Sequence, residues 1–258
     1  MKLKFLGTSA GVACMNRSNS SMLLQNSAGK GLLIDCGEPV SATLVRQDVD
    51  LNSIEGLVMT HLHPDHTGGF TQLIQTFQLR RRNTPLTVFM PSEGVQIFTD
   101  LLRVVYLYKT ILPFELTILP IEPGKTMQTE SFTLDFHANE HLAVFRPIAE
   151  AEGYPAPCES FSVAVRAENT RAVFSGDIKL PEELIPALQD KTDLLVSELV
   201  HFPAETVAAL AQETQPGQVV FTHYRNTPEG EPADADDAAL KTMKCPVTFA
   251  YDFTEINY

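Results

Sequence analysis

The amino-acid sequence predicts a layered α/β fold. Short apolar segments typical of buried strands alternate with segments whose apolar residues recur at helical spacing, and polar residues follow directly after several of the strands. With 258 residues, 44% of them hydrophobic, the chain is long enough to bury one sizeable core. We therefore expect residues 1–258 to form a single domain.

The predicted elements follow one another closely along the chain. Strands are expected at residues 2–6, 21–25, 31–37, 54–59, 86–91, 116–119, 132–137, 160–165, 171–174, 193–198, 218–222 and 247–251. Helices are expected at residues 40–47, 67–82, 93–108, 181–189 and 204–213, with a last one after an acidic loop at 229–237. Three arginines, 80–82, are expected to close the second helix, where cations suit the helix dipole.

Composition excludes some partners and compartments. A formal net charge of -13 disfavours non-specific binding to nucleic acid or to an anionic membrane. The first residues lack the apolar core of a signal peptide, and no apolar run reaches the length of a membrane span. The four cysteines show no CxxC spacing and are too few for a disulfide scaffold of this size. We expect a cytoplasmic protein with no membrane partner.

One polar stretch follows the strand predicted at 54–59. His61, His63, Asp65 and His66 place three imidazoles and a carboxylate within six residues. Taking so many polar groups out of water at a strand end is costly unless something binds them, and a divalent metal is the usual compensation. In an extended segment His61 and His63 share a face, so both can hold one ion, while Asp65 and His66 turn towards a second.

Three further metal-binding side chains follow other predicted strands: His141, Asp177 and His223. Loops at one edge of a sheet commonly build a site on a rigid scaffold. Together, five histidines and two carboxylates fit two divalent ions, with Asp177 as the natural bridge. Zinc, manganese and iron all accept these ligands. His137 is a rival to His141, ranked second because it lies within a strand-like alternation.

These motifs resemble those of the metallo-β-lactamase superfamily. His61-Leu62-His63-Pro64-Asp65-His66 matches its HxHxDH signature, Ser175-Gly176-Asp177 its later Asp motif, and His223 its final His motif. The resemblance spans nearly the whole chain. It implies a four-layer αβ/βα sandwich, in which two mixed sheets pack face to face with helices outside.

Within the superfamily, the N-terminal stretch is similar to the branch that contains tRNase Z and related phosphodiesterases. The residues that carry this likeness are Phe5-Leu6-Gly7-Thr8-Ser9-Ala10-Gly11, Arg17 and Ser20-Ser21-Met22-Leu23-Leu24. By that likeness one zinc is held by His61, His63 and His141, the other by Asp65, His66 and His223, and both by Asp177.

The implied chemistry is hydrolysis by a metal-bound hydroxide, because two neighbouring cations lower the pKa of a shared water. Asp65 is a candidate to hold that nucleophile by a hydrogen bond. Glu198 and His201 are candidates for the acid that protonates the leaving group and for its support. Their context, Ser197-Glu198-Leu199-Val200-His201, departs from the His-Glu-Ala-Thr pattern of tRNase Z, and a purely structural role for both is the alternative.

Two departures bear on the substrate. Only 35 residues separate His141 from Asp177, too few for the long tRNA-clamping arm of tRNase Z. Tyr224-Arg225 replaces the His-Phe-Ser-x-Arg pattern of that branch, although Arg225 is a candidate to bind a phosphate. A small phosphodiester, such as a cyclic nucleotide or a cyclic sugar phosphate, is therefore favoured over tRNA.

Two other functions remain open. The same metals would hydrolyse a lactone, a thioester or another carboxylic ester, and the fold does not decide between these and a phosphodiester. A metal-binding accessory protein or sensor without turnover is the third interpretation.

The loop predicted at 146–158 is expected to edge the active site. The excess of apolar residues at 101–108 predicts a homodimer contact or a cap over the site.

Overall fold

Two seven-stranded mixed sheets form the centre of the structure. The computed structural model describes residues 1–225, 231–233 and 237–258. The strands in this part of the chain are β1 (Lys2–Gly7), β2 (Ser21–Gln25), β3 (Gly31–Ile34), β4 (Ile54–Val58), β5 (Leu86–Met90), β6 (Leu116–Pro120), β7 (Thr126–Gln128), β8 (Thr133–Asn139), β9 (Ser160–Ala167), β10 (Thr170–Phe174), β11 (Leu194–Leu199), β12 (Val219–Tyr224), β13 (Val247–Phe249) and β14 (Glu255–Asn257). One sheet has the order β14-β1-β2-β3-β4-β5-β6 and the other β13-β12-β11-β10-β9-β8-β7.

Helices cover the outer faces of the two sheets. They are α1 (Val40–Arg46), α2 (Pro64–Thr67), α3 (Phe70–Leu79), α4 (Ser92–Val104), α5 (Arg146–Ala151) and α6 (Ala204–Thr214). Single 3₁₀ turns lie at Leu51–Ser53, Lys109–Ile111, Ala143–Phe145, Pro181–Leu184, Pro186–Leu188 and Leu240–Thr242.

Three apolar clusters hold the layers together. The first lies between the sheets and joins side chains of both, among them Phe5, Phe89 and Phe161. The second packs the first sheet against α1, α3 and α4, and the third packs the second sheet against α6 and neighbouring turns. Each strand in the middle of a sheet is thus covered on both faces, which explains why these strands are apolar throughout. The four-layer αβ/βα sandwich is confirmed.

Helix α3 shows how the sequence pattern works locally. Its buried residues, Phe70, Leu73, Ile74 and Phe77, fall at i, i+3, i+4 and i+7, so one face lies on the sheet. The helix is shorter than predicted. Residues 64–67 form a separate turn of helix, α2, and α3 ends at Leu79 rather than at Arg82.

The expectation for Arg82 was wrong. Its side chain is 1% exposed and donates hydrogen bonds to the backbone oxygens of Leu51, Ile54 and Pro85. Its guanidinium also lies 5.0 Å from the centroid of the Phe77 ring. Burial lowers the pKa of Arg82 to about 10. Arg82 therefore ties the chain before β4 to the chain before β5, and only Arg80 and Arg81 remain exposed.

Several other boundaries also differ from the predictions. Helix α4 ends at Val104, residues 181–189 form two 3₁₀ turns, and the segment 146–158 begins with the short helix α5. A last helix was expected after the acidic segment. In the described residues of that region, the helical structure is limited to the 3₁₀ turn Leu240–Thr242. Residues 229, 230 and 234–236 of the acidic segment lie outside the described residues. Strands β7 and β14, of three residues each, were not predicted.

No helix in the described residues is both long enough and apolar enough to cross a membrane.

Candidate metal centre

Four strand ends converge where the two sheets meet. The chain leaves β4 into the segment that carries His61, His63, Asp65 and His66, and it leaves β8 just before His141. Asp177 follows β10, and His223 lies near the end of β12. The backbone amide of Phe161 donates to the oxygen of Thr60 at 3.0 Å, which joins the end of β4 to β9 in the other sheet. The structure thus brings all seven predicted ligand residues to one place.

Asp35 organises the segment after β4. Its buried carboxylate accepts hydrogen bonds from the backbone amide of Thr60 at 2.8 Å and from Nδ1 of His66 at 2.7 Å. This contact leaves Nε2 of His66 directed towards the other ligands. A carboxylate on the far nitrogen of a histidine fixes its ring orientation and its tautomer, as in many metal sites.

Two glycines allow the backbone to pass close to the site. Gly176 has a φ of 57°, and a Cβ there would lie 2.8 Å from the oxygen of Phe161. At Gly37 a Cβ would lie 2.2 Å from the oxygen of Asp65. A side chain at either position would displace the backbone beside Asp177 or Asp65, so both positions require glycine.

The first group of candidate ligands consists of His61, His63, His141 and Asp177. Nδ1 of His63 lies 3.1 Å from Nε2 of His61 and 3.3 Å from Nε2 of His141. Oδ2 of Asp177 lies 3.9 Å from the first and 3.7 Å from the second of these Nε2 atoms. Zinc bonds of about 2.0–2.1 Å place tetrahedral ligand atoms about 3.3 Å apart. The spacing of these donors therefore fits a single zinc-sized ion.

The second group consists of Asp65, His66 and His223. Nε2 of His66 is 3.5 Å from Oδ2 of Asp65, and Nε2 of His223 is 3.8 Å from the same oxygen. Asp177 also reaches this group, with Oδ1 at 3.3 Å from His66 and Oδ2 at 3.2 Å from His223. Asp177 therefore faces both groups.

Two neutral imidazoles and one ionised carboxylate in this cluster suit the binding of a cation. Burial lowers the pKa of His61 well below its ordinary value and lowers that of His141 to about 4, so both rings are neutral and able to bind a metal near pH 7. Burial opposes ionisation of Asp177, but His223 and His66 hold its pKa well below the usual range. Burial likewise opposes protonation of His66, yet Asp177 and Asp35 raise its pKa well above normal.

A further observation indicates that these residues fit a pair of metal ions. Nε2 of His66 and Oδ1 of Asp177 are both buried and lie 3.3 Å apart, and among the described residues neither atom has a partner in good hydrogen-bond geometry. Leaving such atoms unpaired costs roughly 1–3 kcal/mol each, more when the group is charged. Both atoms point into the space shared by the two groups, where a divalent ion would satisfy them.

Glu198 and His201 lie beside the first group. Both oxygens of Glu198 are 2.7 Å from Nδ1 of His201, and Glu198 is 1% exposed. Glu198 also accepts from the backbone amides of Ile178, Val200 and His201. The hydrogen bond with Glu198 raises the pKa of His201 against the opposing effect of burial. The His201 ring stands 4.8 Å from that of His141.

A cavity of about 730 Å³ opens next to these histidines. Its walls are formed by His63, Glu140, His141, Ala143, Val144, Phe145, Ile178, Lys179 and His201. Arg225 is exposed and does not line this cavity. His137 pairs with Ser162 inside the second sheet and belongs to neither ligand group.

Sequence reasoning missed Glu183, Phe145 and Lys179. Glu183 accepts hydrogen bonds from the backbone amides of Lys179 at 2.9 Å and Glu140 at 3.0 Å, so it joins two walls of the cavity. Lys179 has a weak signal, since it stands two residues after Asp177. Nothing in the local sequence of Glu183 or Phe145 indicates a position near the metal centre.

The comparisons with known proteins agree with this fold. Ribonuclease Z of Methanosarcina acetivorans is 27% identical over 281 aligned positions, covering 90% of each chain. The metallo-β-lactamase fold protein YhfI from Bacillus subtilis superposes with a TM-score of 0.77 at 19% identity and covers 99% of this chain and 98% of YhfI. The short form of human tRNase Z superposes with a TM-score of 0.74 at 18% identity, covering 100% of this chain and 99% of its own.

Residues 1–244 match the family described as Anti-Pycsar protein Apyc1. The match includes both ligand groups, the Glu198–His201 pair and the cavity beside them. Among the metal-dependent hydrolases of the metallo-β-lactamase superfamily, in the branch that contains tRNase Z, this chain belongs to the Anti-Pycsar protein Apyc1 family.

Proposed function

We propose that the chain is a dinuclear zinc phosphodiesterase that acts on a small phosphodiester, cyclic phosphodiesters included, and that residues 1–258 form its single hydrolase domain. The observation that carries the proposal is the pair of ligand groups that share Asp177, since in each group the donor atoms lie within 4.8 Å of one another. Such paired sites are typical of enzymes that displace an oxygen from phosphorus.

The ligand residues divide as their positions suggest. His61, His63 and His141 would hold one ion, Asp65, His66 and His223 the other, and Asp177 both. Ions held there would supply an activated water and neutralise negative charge on a phosphoryl oxygen. The nitrogen-rich first group favours zinc, and manganese or iron are the alternatives to test.

The chain's own residues would manage the protons. His201 lines the cavity and, in our proposal, gives a proton to the leaving alkoxide from Nε2, because Nδ1 is occupied by Glu198. Glu198 is buried and its oxygens already accept several hydrogen bonds. Its proposed role is therefore to orient the His201 ring and to stabilise its protonated form. Asp65 lies at the edge of the second group, where its carboxylate can accept a hydrogen bond from the attacking water.

The segment between His141 and Asp177 bears on the size of the substrate. Residues 142–176, all of them described, form one 3₁₀ turn, the short helix α5 and the hairpin of β9 and β10. No long arm projects from this segment to clamp a folded RNA. Together with a net charge of -13, this supports a small substrate rather than the RNA that the name of the ribonuclease Z relatives indicates. Arg225 remains a candidate to bind a phosphate at the margin of the site.

A substrate panel tests the proposal. Protein loaded with zinc or with manganese would be assayed on bis-p-nitrophenyl phosphate, on a cyclic nucleotide, on a precursor tRNA and on a lactone. We expect hydrolysis of the two small phosphodiesters and little of the tRNA. Activity on the lactone alone would favour a carboxylic ester hydrolase, and metal binding without any turnover would favour an accessory protein.

We also propose a homodimer formed through the end of α4. In this region Val104 is 73% exposed and Tyr106 74%, and Ile97, Leu101 and Ile111 are exposed as well. A cluster of exposed apolar side chains of this kind marks an association surface, and a second copy can cover it with the same residues. Light scattering after size exclusion should give a dimer, and Val104→Glu should give a monomer.

We also propose that the protein is located in the cytoplasm. The four cysteines form no disulfide with one another, as expected of a protein kept in a reducing environment.

A further inference from the structure

The cavity beside the metal centre has one wall that the proposed chemistry does not use. His63, His141 and His201 line its inner side, and Val144, Phe145, Ile178 and Lys179 line its outer part. A phosphoryl group at the ligand groups would direct its leaving group towards His201, and therefore into this cavity. The outer wall then contacts the part of the substrate that leaves.

Lys179 brings a positive charge to this wall. In the described part of the chain no carboxylate forms an ion pair with its ammonium, whereas Lys2, Lys4, Lys125 and Lys191 each pair with an acid. A protein with a net charge of -13 repels an anionic substrate over most of its surface. An ammonium available at the cavity places a positive charge on the path to the metal centre, where it attracts an anionic substrate.

Phe145 brings a flat apolar surface to the same cavity. Its side chain is 43% exposed, and its ring centroid lies 5.8 Å from that of His63 in an edge-to-face arrangement. Val144 and Ile178 extend the apolar wall on either side. An aromatic ring held against a rigid neighbour is a good platform for another ring, because little side-chain entropy is lost on binding.

Glu183 links the two segments that carry Lys179 and Phe145. Glu183 accepts a hydrogen bond from the amide of Lys179 and another from that of Glu140, which lies five residues before Phe145. Ile178 is fixed in turn by its amide bond to Glu198 at 2.8 Å. One wall of the cavity is thus tied through Ile178 to Glu198, the carboxylate that also supports the proton donor, which suits selection by shape.

We propose that Lys179 and Phe145 determine the specificity of this site, selecting an anionic diester whose leaving portion carries a flat aromatic or heteroaromatic ring. The inference rests on the proposed phosphodiesterase function and extends it. Lys179 attracts and holds the anion, and Phe145 stacks on the ring. Neither residue touches the reacting phosphorus, so both act on binding rather than on the chemical step.

Steady-state kinetics with the zinc-loaded protein test Lys179. With bis-p-nitrophenyl phosphate, Lys179→Gln should raise KM about five- to tenfold and leave kcat within a factor of two. With the neutral ester p-nitrophenyl acetate it should change neither constant. Lys191→Gln is the matched control, because it removes the same charge from the opposite end of the sheet, beside Asp193. An equal loss on the neutral ester, or no change in KM for the diester, would overturn the role of Lys179.

Calorimetric binding tests Phe145 and remains informative if the protein hydrolyses no phosphodiester. Diphenyl phosphate should bind the zinc-loaded wild-type protein more tightly than diethyl phosphate. Phe145→Leu should weaken the binding of diphenyl phosphate about three- to tenfold and leave the affinity for diethyl phosphate unchanged. Lys179→Gln should weaken the binding of both anions, and added salt should reduce the difference in affinity between this variant and the wild type. Equal affinities of wild type and both variants for diphenyl phosphate would refute the inference, whatever the outcome of the activity assays.

Discussion

Replacement of His201 by alanine tests the proposed proton transfer most directly. The ring lines the cavity with its Nδ1 held by a buried carboxylate, so Nε2 is the atom available to a leaving group. A positioned general acid contributes about 10²–10⁴-fold to a rate. We expect His201→Ala to lower kcat by this factor when the leaving group is a poor one, such as the ribose oxygen of a cyclic nucleotide.

The same variant should behave differently with a good leaving group. p-Nitrophenolate departs without needing a proton, so the loss on bis-p-nitrophenyl phosphate should be less than tenfold. The assay therefore compares the ratio of the two kcat values in the wild type and in the variant. Because the His201 ring contacts that of His141, the zinc content of both proteins must be measured by mass spectrometry and should be equal.

The pH dependence gives an independent check. The hydrogen bond that Nδ1 of His201 donates to Glu198 raises the pKa of His201, so the ring keeps its acidic proton to higher pH than an ordinary histidine. With the poor leaving group, kcat should fall as the pH rises through this pKa. Glu198→Gln removes the cause of the shift and should move that fall to lower pH. Equal losses on both leaving groups, with an unchanged alkaline limb in Glu198→Gln, would show that His201 has only a structural role.

Three further predictions follow from the same contacts. Asp177→Ala removes the carboxylate that faces both ligand groups and should abolish hydrolysis and lower the bound zinc below two ions per chain, as measured by mass spectrometry. Asp35→Asn should weaken zinc binding about 10–100-fold in a chelator competition, because His66 loses the carboxylate that orients it; unchanged affinity would argue against that role. Arg82→Leu should lower the free energy of unfolding by about 3–5 kcal/mol in urea, since three buried backbone oxygens lose their donor, whereas the exposed Arg80→Leu should change it by less than about 0.5 kcal/mol.

Much of the scaffold can be read from local pattern. The spacing of Phe70, Leu73, Ile74 and Phe77 shows which face of α3 is buried, because a helix repeats every 3.6 residues wherever it lies. Apolar runs such as β4 are recognisable as central strands, since both faces are covered. Metal-binding residue types just after such strands indicate a shared site, because strand ends in one sheet lie close together.

Other features depend on partners that are distant in sequence. Nothing local distinguishes Arg82 from Arg80, since two of the three carbonyl groups that surround Arg82, those of Leu51 and Ile54, come from another part of the chain. Strand β14 has only three residues and exists because it pairs with the edge of β1. Short edge strands carry little periodicity, so their position is decided by the sheet that they join.

The sequence by itself therefore determined the layered fold, the residue types for two metal ions and their order along the chain. The tertiary structure decided how those donors divide into two groups around Asp177, and it placed Glu183 between the walls of the cavity. It also brought Phe145 and Lys179 to one opening from separate segments. The physical reason is that hydrophobic periodicity reports which face of an element is buried, whereas a binding cavity depends on which faces and loops meet when the two sheets pack together.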